Sequence, residues 1–198
     1  MIGDGLHDVP NDRIAAVVTS LQMFARPALR PEIRGPWELQ RFAKPDAETY
    51  RAIYGKIGDE WLWFSRILMA DEALTAIVQH PEVEVYGLKA GDAIEGMLEL
   101  DYRVPGEAEL AFFGVGPSLV GGGAARWLMN RALELAWQHP IKRFWVHTCT
   151  LDHPSAVAFY IRSGFVPFKR QIEIEPDPRL RGISMASRGR TPVLVPTV

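Results

Sequence analysis

Apolar positions recur along this chain with two different periods, and the switches between them mark its elements. Ile14 to Met23, rich in alanine and β-branched residues, suits a strand or a short helix, and its Val-Val-Thr centre favours the strand. The prolines of ARPALRPEIRGP require a loop, after which Trp37 to Phe42 alternates as a short strand. Asp46 stands where an N-cap belongs, and Tyr50, Ile53, Tyr54 and Ile57 follow at helical spacing until Gly58. A second helical stretch is expected from about Glu60, carrying Trp61, Trp63 and Phe64, and a third from Asp71 to just before Pro81.

Beyond Pro81 the period shortens to two. Val83 to Leu88 and Ala93 to Asp101 flank Ala90-Gly91, a hairpin signal, and ELAFFGV makes a third strand. A long helix is expected from about Gly122 to Gln138, stopped by His139-Pro140. Arg143 to Thr150 is apolar on both faces, which predicts a central strand covered on both sides. Pro154 to Arg162 reads as a short helix opened by proline, and Phe165 to Glu175 as a last strand ending in the alternating QIEIE. The sum is an α/β (α+β) fold in a single sheet layer. Residues 13–176 form one domain, with tails at 1–12 and 177–198. The final VLVPTV is apolar enough to dock on the body of the protein.

Composition narrows the partners. With 198 residues, 47% hydrophobic and 23% charged, the chain can bury a true core. Its net charge of −2 leaves no basic excess for nucleic acid or an anionic membrane. Cys149 is the single cysteine, so neither an internal disulfide nor a multi-thiolate metal site can form. The opening MIGDGLHDVPNDR lacks the apolar run of a signal peptide, and no apolar run approaches the roughly 20 residues of a membrane helix. A soluble cytoplasmic protein is expected.

The most informative segment joins the third hairpin-region strand to the long helix: Val115-Gly-Pro-Ser-Leu-Val-Gly-Gly-Gly-Ala-Ala-Arg. Consecutive glycines remove β-carbons where the helix begins, so a ligand can approach backbone N–H groups that have no partner within the helix. The helix dipole adds partial positive charge there, an arrangement that suits a pyrophosphate. It is not a P-loop, because no lysine and hydroxyl follow the glycines, and Leu119 breaks a dinucleotide fingerprint begun by Gly114 and Gly116.

A second segment, Asp152-His-Pro-Ser-Ala-Val-Ala-Phe-Tyr-Ile-Arg-Ser-Gly-Phe, gives the first its context. Together they resemble the GNAT acetyltransferase superfamily, in which Q/R-x-x-G-x-G/A opens the long helix and N-x-x-A-x-x-x-Y-x-x-x-G-F follows the next strand. Here Val120-Gly-Gly-Gly123-Ala-Ala125 fills the first motif, and His153, Ala156, Tyr160, Gly164 and Phe165 fill the second. Val120 stands where the family has Gln or Arg, and His153 where it has Asn. The resemblance runs from about Trp37 to Glu175. It implies a mostly antiparallel central sheet with helices on both faces, and an N-acetyltransferase using acetyl-CoA as co-substrate without a metal.

The resemblance also distributes roles. Phe113, Gly114 and Val115 would offer backbone groups to the pantetheine arm and the thioester carbonyl. Val120, Gly121, Gly122, Gly123, Ala124, Ala125 and Arg126 would hold the phosphates, with His153 beside them. Tyr160 would protonate the departing thiolate. Glu109, six residues before Val115, occupies the position of a catalytic glutamate in some lysine acetyltransferases. Read by period two, Glu107, Glu109, Ala111 and Phe113 share a strand face, and a break near Gly114 and Gly116 would free backbone groups. His147 and relayed waters are the alternative proton acceptors. Cys149 shares a face with His147 but reads as a buried structural thiol.

The acceptor is expected to be a primary amine of a small molecule or peptide, drawn by Glu99, Asp101 and Glu109 and bordered by Trp61, Trp63, Tyr50 and Tyr54. A homodimer through an edge strand or the apolar C-terminus is a further expectation. The competing class is a non-catalytic CoA-binding module on the same fold.

Overall fold

The computed structural model describes residues 3–182 and 191–194. Strand β1 (Arg13–Met23) opens the chain, followed by β2 (Trp37–Phe42), α1 (Ala47–Gly58) and α2 (Asp71–Val78). Strands β3 (Val83–Ala90), β4 (Ala93–Asp101) and β5 (Glu107–Val115) come next. Helix α3 (Ala124–Ala136), β6 (Arg143–Cys149), α4 (Ala156–Arg162) and β7 (Val166–Pro176) complete the described order. The seven strands form one sheet in the order β2-β3-β4-β5-β6-β1-β7. Every neighbouring pair is antiparallel except β5 and β6.

Local chemistry explains the elements. Asp46 caps α1, its carboxylate accepting from the Thr49 N–H at 2.7 Å, and the apolar stripe of Tyr50, Ile53, Tyr54 and Ile57 is buried against the sheet. Gly91 turns the β3–β4 hairpin at φ +63°, a conformation open to glycine at little cost. Helices α1 and α2 cover one face, packing on Val83, Val85 and Met97. Helix α3 and Tyr160 of α4 cover the other, over Leu98, Leu100, Leu110, Phe144 and Val146. Helices therefore flank the sheet on both faces. No helix among the described residues is long and apolar enough to cross a membrane.

Three expectations need correction. The helical stretch from Glu60 is a single 3-10 turn at Asp59–Trp61, ended by Leu62 in the left-handed region (φ 55°), and Trp63 and Phe64 then lie in a loop. Strand β6 is not covered on both sides. Phe144, Val146 and Thr148 are buried beneath the α3 face, whereas Trp145, His147 and Cys149 point to the other face, which stays partly open. Apolar residues on both faces were a valid sign of a central strand, but one of those faces lines a cavity instead of a core.

The third correction concerns β5. Its register with β4 runs Leu98↔Phe113, Glu99↔Phe112, then Leu100↔Leu110 and Asp101↔Glu109, so Ala111 is an extra residue in a bulge. The bulge inverts the alternation. Glu109 falls on the face of Phe112, toward α1, and Phe113 on the opposite face with Phe159 and Tyr160. The break in the strand lies at Ala111, ahead of the glycines. Residues 177–182 continue from β7 into a 3-10 turn at Pro178–Arg181 with Asp177 buried. Of VLVPTV, Val193 and Leu194 are exposed, and residues 195–198 lie outside the described residues.

Candidate active site

The parallel contact between β5 and β6 is brief. It comprises Glu107↔Arg143, Ala108↔Phe144 and Glu109↔Trp145, after which the two strands diverge. The bulge at Ala111 turns β5 away just where pairing ends. A cavity of about 1050 Å³ follows the divergence, walled by Glu109 to Val115 on one side and Val146 to Cys149 on the other.

At one end of the cavity lies the glycine turn. Gly121 and Gly123 adopt φ +82° and +93°, so both positions favour glycine. The first hydrogen bond inside α3 runs from Trp127 N–H to Gly123 O at 3.0 Å, leaving the N–H groups of Ala124, Ala125 and Arg126 at the open helix end. A β-carbon on Gly121 would meet nothing, and one on Gly122 would meet only the Leu119 carbonyl at 3.5 Å, so the turn presents bare backbone. At Gly114 a β-carbon would sit 2.6 Å from Ile57, which makes glycine a packing requirement as well. Such a cradle fits a pyrophosphate, with the N–H groups donating.

Tyr160 lines the cavity at 7% exposure, packed against Phe113 (ring centroids 6.3 Å), Phe159 and Phe165. Burial, and then the nearby Asp152 carboxylate, push its phenol well above the usual tyrosine range, so it keeps its proton at any physiological pH. Cys149 also lines the cavity, and burial drives its thiol up to about 11. A thiol held neutral in this way is a poor nucleophile.

The two proton-acceptor candidates prove to be one unit. His147 Nδ1 lies 3.4 Å from Glu109 Oε1 where β5 and β6 part, with side chains 49% and 25% exposed. Glu109 raises the His147 pKa by hydrogen bonding; burial opposes that shift, and the charges of Glu109, Asp152 and Glu173 add to it. With Nδ1 turned to the carboxylate, Nε2 is the nitrogen left to take a proton.

Asp152 ties the two walls together. Its carboxylate accepts from Thr148 Oγ1 (2.7 Å) and Cys149 N–H (2.9 Å) at the end of β6, and from Trp63 Nε1 at 3.0 Å. Trp63 packs on Phe112 and Tyr54 of the opposite wall, so the 59–66 segment roofs the cleft. His153 sits under the same roof. Its ring meets Trp61 edge-on at 5.2 Å, and its Nδ1 accepts from Ser155 N–H at 3.1 Å. Val120 is exposed beside the glycines.

Of the expected acceptor carboxylates, Asp101 and Glu109 line the cavity, and Glu99 does not. Glu99 is fully buried beneath the floor, accepting from Tyr50 Oη (2.5 Å) and Arg66 Nη2 (2.7 Å). Tyr50 is a core residue with it. Residues the sequence reading passed over also reach the cavity: Arg30, Arg66, Arg162, Glu173 and Glu175. The alternation of QIEIE carried a signal for the last two, which fall on one face of β7. Nothing local marked Arg30 or Arg66. Among the described residues, no cluster of three or more His, Cys, Asp or Glu could hold a metal ion.

A split parallel pair with a glycine-opened helix at its mouth frames the cleft. The family model described as the acetyltransferase (GNAT) family matches residues 47–165, and the chain belongs to that family. Acyl transfer is the reaction class this membership carries. A GCN5-related N-acetyltransferase from Sphaerobacter thermophilus superposes with a TM-score of 0.59 at 16% identity, covering 81% of this chain and 51% of its own. A functionally unknown conserved protein from Staphylococcus epidermidis gives 0.55 at 11%, covering 83% of this chain and 63% of that one. An aminoglycoside acetyltransferase from an uncultured soil metagenomic sample gives 0.54 at 14%, with 65% and 88% covered. The chain thus spans about half to two thirds of the first two and most of the third. At such identities these likenesses show the fold alone. Comparison with curated proteins finds no match.

Proposed function

We propose that this protein is an N-acetyltransferase that moves an acetyl group from acetyl-CoA directly to a primary amine of a small molecule or peptide. The observation that carries the reading is the single cleft joining a phosphate-type cradle at α3 to the Glu109–His147 pair, with Tyr160 on its wall.

Bound acetyl-CoA would supply the activated thioester carbonyl. The protein's share is positioning, charge stabilisation and proton movement. The α3 N–H groups would hold the phosphates. Backbone groups of Phe113 to Val115, freed where β5 leaves β6, would steer the pantetheine arm and polarise the carbonyl. An amine is mostly charged at neutral pH and must lose a proton before it attacks. His147 Nε2, oriented through Nδ1 by Glu109, would take that proton. Tyr160, kept neutral by its apolar surroundings, would donate to the thiolate as charge develops on sulfur. Asp101, Glu109, Glu173 and Glu175 line the cavity and favour a cationic acceptor, while Trp61 and Phe64 offer flat apolar contact. Its single free cysteine suits a reducing cytoplasm.

Calorimetric titration with acetyl-CoA, against ATP and NAD as controls, comes first, followed by thiol release with a panel of amines. Saturable binding of acetyl-CoA alone with thiol release is the expected result. Tyr160→Phe should then slow turnover about 100-fold with donor affinity nearly unchanged. Binding without turnover on any amine would favour a non-catalytic CoA module, and no binding at millimolar donor would end the acetyltransferase reading.

A further inference from the structure

The sheet ends in two unequal edges. Strand β2 has six residues, half of them partly covered. Strand β7 runs for 11 residues, all but the last exposed, and among the described residues it pairs with β1 alone. A free edge of that length presents a row of unpaired backbone N–H and C=O groups, a template for another strand. The features that blunt an edge lie at its ends: Pro167 with the register irregularity beside it, and Pro176. The pairing with β1 is regular from Lys169 to Glu175.

That regular stretch carries its own complement. Lys169 and Arg170 precede Gln171, and Glu173 and Glu175 follow it. Among the described residues, none of these four charges sits in an ion pair. Glu173 and Glu175 stand opposite Ala16 and Ile14 of β1 and line the cavity. Ile172 and Ile174 alternate with them on the other face, 48% and 49% exposed, and Val17 opposite Ile172 is 43% exposed. Parallel stacking of β7 on itself in register would set Lys169 against Lys169 and glutamate against glutamate. Antiparallel pairing about a twofold axis does the reverse. Centred on Gln171, it sets Lys169 opposite Glu173; centred on Ile172, it sets Lys169 opposite Glu175 and Ile172 opposite itself. The symmetry makes each charge contact twice.

We propose that two copies of this chain join β7 to β7, antiparallel, so that the sheet continues across a twofold axis and the partner's Lys169 reaches the Glu173–Glu175 edge of each cavity. The occupant of the edge is a second copy because the order of charges along β7 is its own antiparallel complement. Ile172, Ile174 and Val17 then approach their symmetry equivalents and lose water. The cavity wall gains a cation from the neighbouring copy, and Glu173 is one of the carboxylates whose charge acts on His147. Association therefore changes the charge that the cavity presents. The pairing itself does not depend on the reaction proposed above.

The test is sedimentation velocity of the full chain from micromolar to submillimolar concentration. The wild type is compared with Lys169→Glu, whose β7 is acidic at both ends but for Arg170, and with Glu173→Lys/Glu175→Lys, whose β7 is basic throughout. A thermal melt checks that each is folded. The wild type is expected to dimerise reversibly, and each variant alone to dimerise at least about tenfold more weakly, because like charges meet twice across the axis. A one-to-one mixture of the two variants should restore a dimer, and raising salt should narrow the difference between variants and wild type. Hydrogen exchange of the 169–175 amides should slow as the wild type associates. A wild type monomeric throughout, or dimers equally strong in both variants alone, would overturn the pairing. So would a monomer whose 169–175 amides are already protected, which would assign the edge to the chain's own residues beyond 182. None of these readouts involves acetyl-CoA, so the acetyltransferase reading stands or falls separately.

Discussion

Removal of Glu99 should cost this fold several kcal/mol. Its carboxylate is fully buried on β4 and is the meeting point of Tyr50 from α1 and Arg66 from the roof segment. Burial pushes its pKa up and the Arg66 charge pulls it back, the balance of a charge that is stable only because it is paired. Glu99→Ala strands a guanidinium 7% exposed, whose remaining supports are the Met69 sulfur, 3.7 Å from Nη1, and the Phe112 ring 5.2 Å away, and leaves the Tyr50 hydroxyl without its acceptor. Breaking a buried pair costs about 3–5 kcal/mol, and an orphaned hydroxyl about 1–3 more, though the two are not additive when water enters the space. Taking about 4 kcal/mol as the central value, and about 2–4 °C per kcal/mol for a chain of this size, Tm should fall by about 8–16 °C. Urea unfolding followed by tryptophan fluorescence, alongside calorimetry, measures both quantities. Replacing all three partners at once, as Tyr50→Phe, Arg66→Met and Glu99→Leu, should recover most of the loss, because no unpaired polar group remains. A loss under about 1 kcal/mol for Glu99→Ala, or a triple variant less stable than the single, would refute the reasoning.

Three further outcomes follow from the cleft. If neutral His147 is the base, activity rises with pH through its pKa, which Glu109 holds above the ordinary 6.5; Glu109→Gln should move the inflection of the kcat/KM profile to lower pH, and an unmoved inflection would separate the two residues. Gly123→Ala forces a β-carbon into a φ of +93° and to within 2.9 Å of Ile33, so it should cost about 1–2 kcal/mol and weaken donor binding by displacing the segment between β1 and β2 that carries Ile33. Gly122→Ala, with no positive φ and only the Leu119 carbonyl at 3.5 Å, should leave Tm within about 2 °C and serves as the stability control.

The sequence by itself determined what short-range chemistry controls. Asp46 capped α1 because a carboxylate three residues ahead of a free N–H needs nothing distant to act. The glycines before α3 were legible because a bare helix start is a local property. The alternation of β3 and β4 held because each strand turns one face to α1 and one to α3.

What the tertiary structure decided is where long-range pairing overrides those periods. The bulge at Ala111 carries no local signature, since only the register against β4 shows one residue too many, and it moved Glu109 from the face of Phe113 to that of Phe112. Strand β1 sits between β6 and β7, more than 120 residues away in sequence, so its place in the sheet was not written in its own composition. Glu99, which reads as one acid among three, is the buried keystone of Tyr50 and Arg66, while Glu109 is joined to His147. Charge and hydrogen-bond partners depend on which chain segments meet, and a one-dimensional pattern of apolar and polar residues does not encode that meeting. The cleft arises the same way, from two parallel strands that pair for three residues and then part.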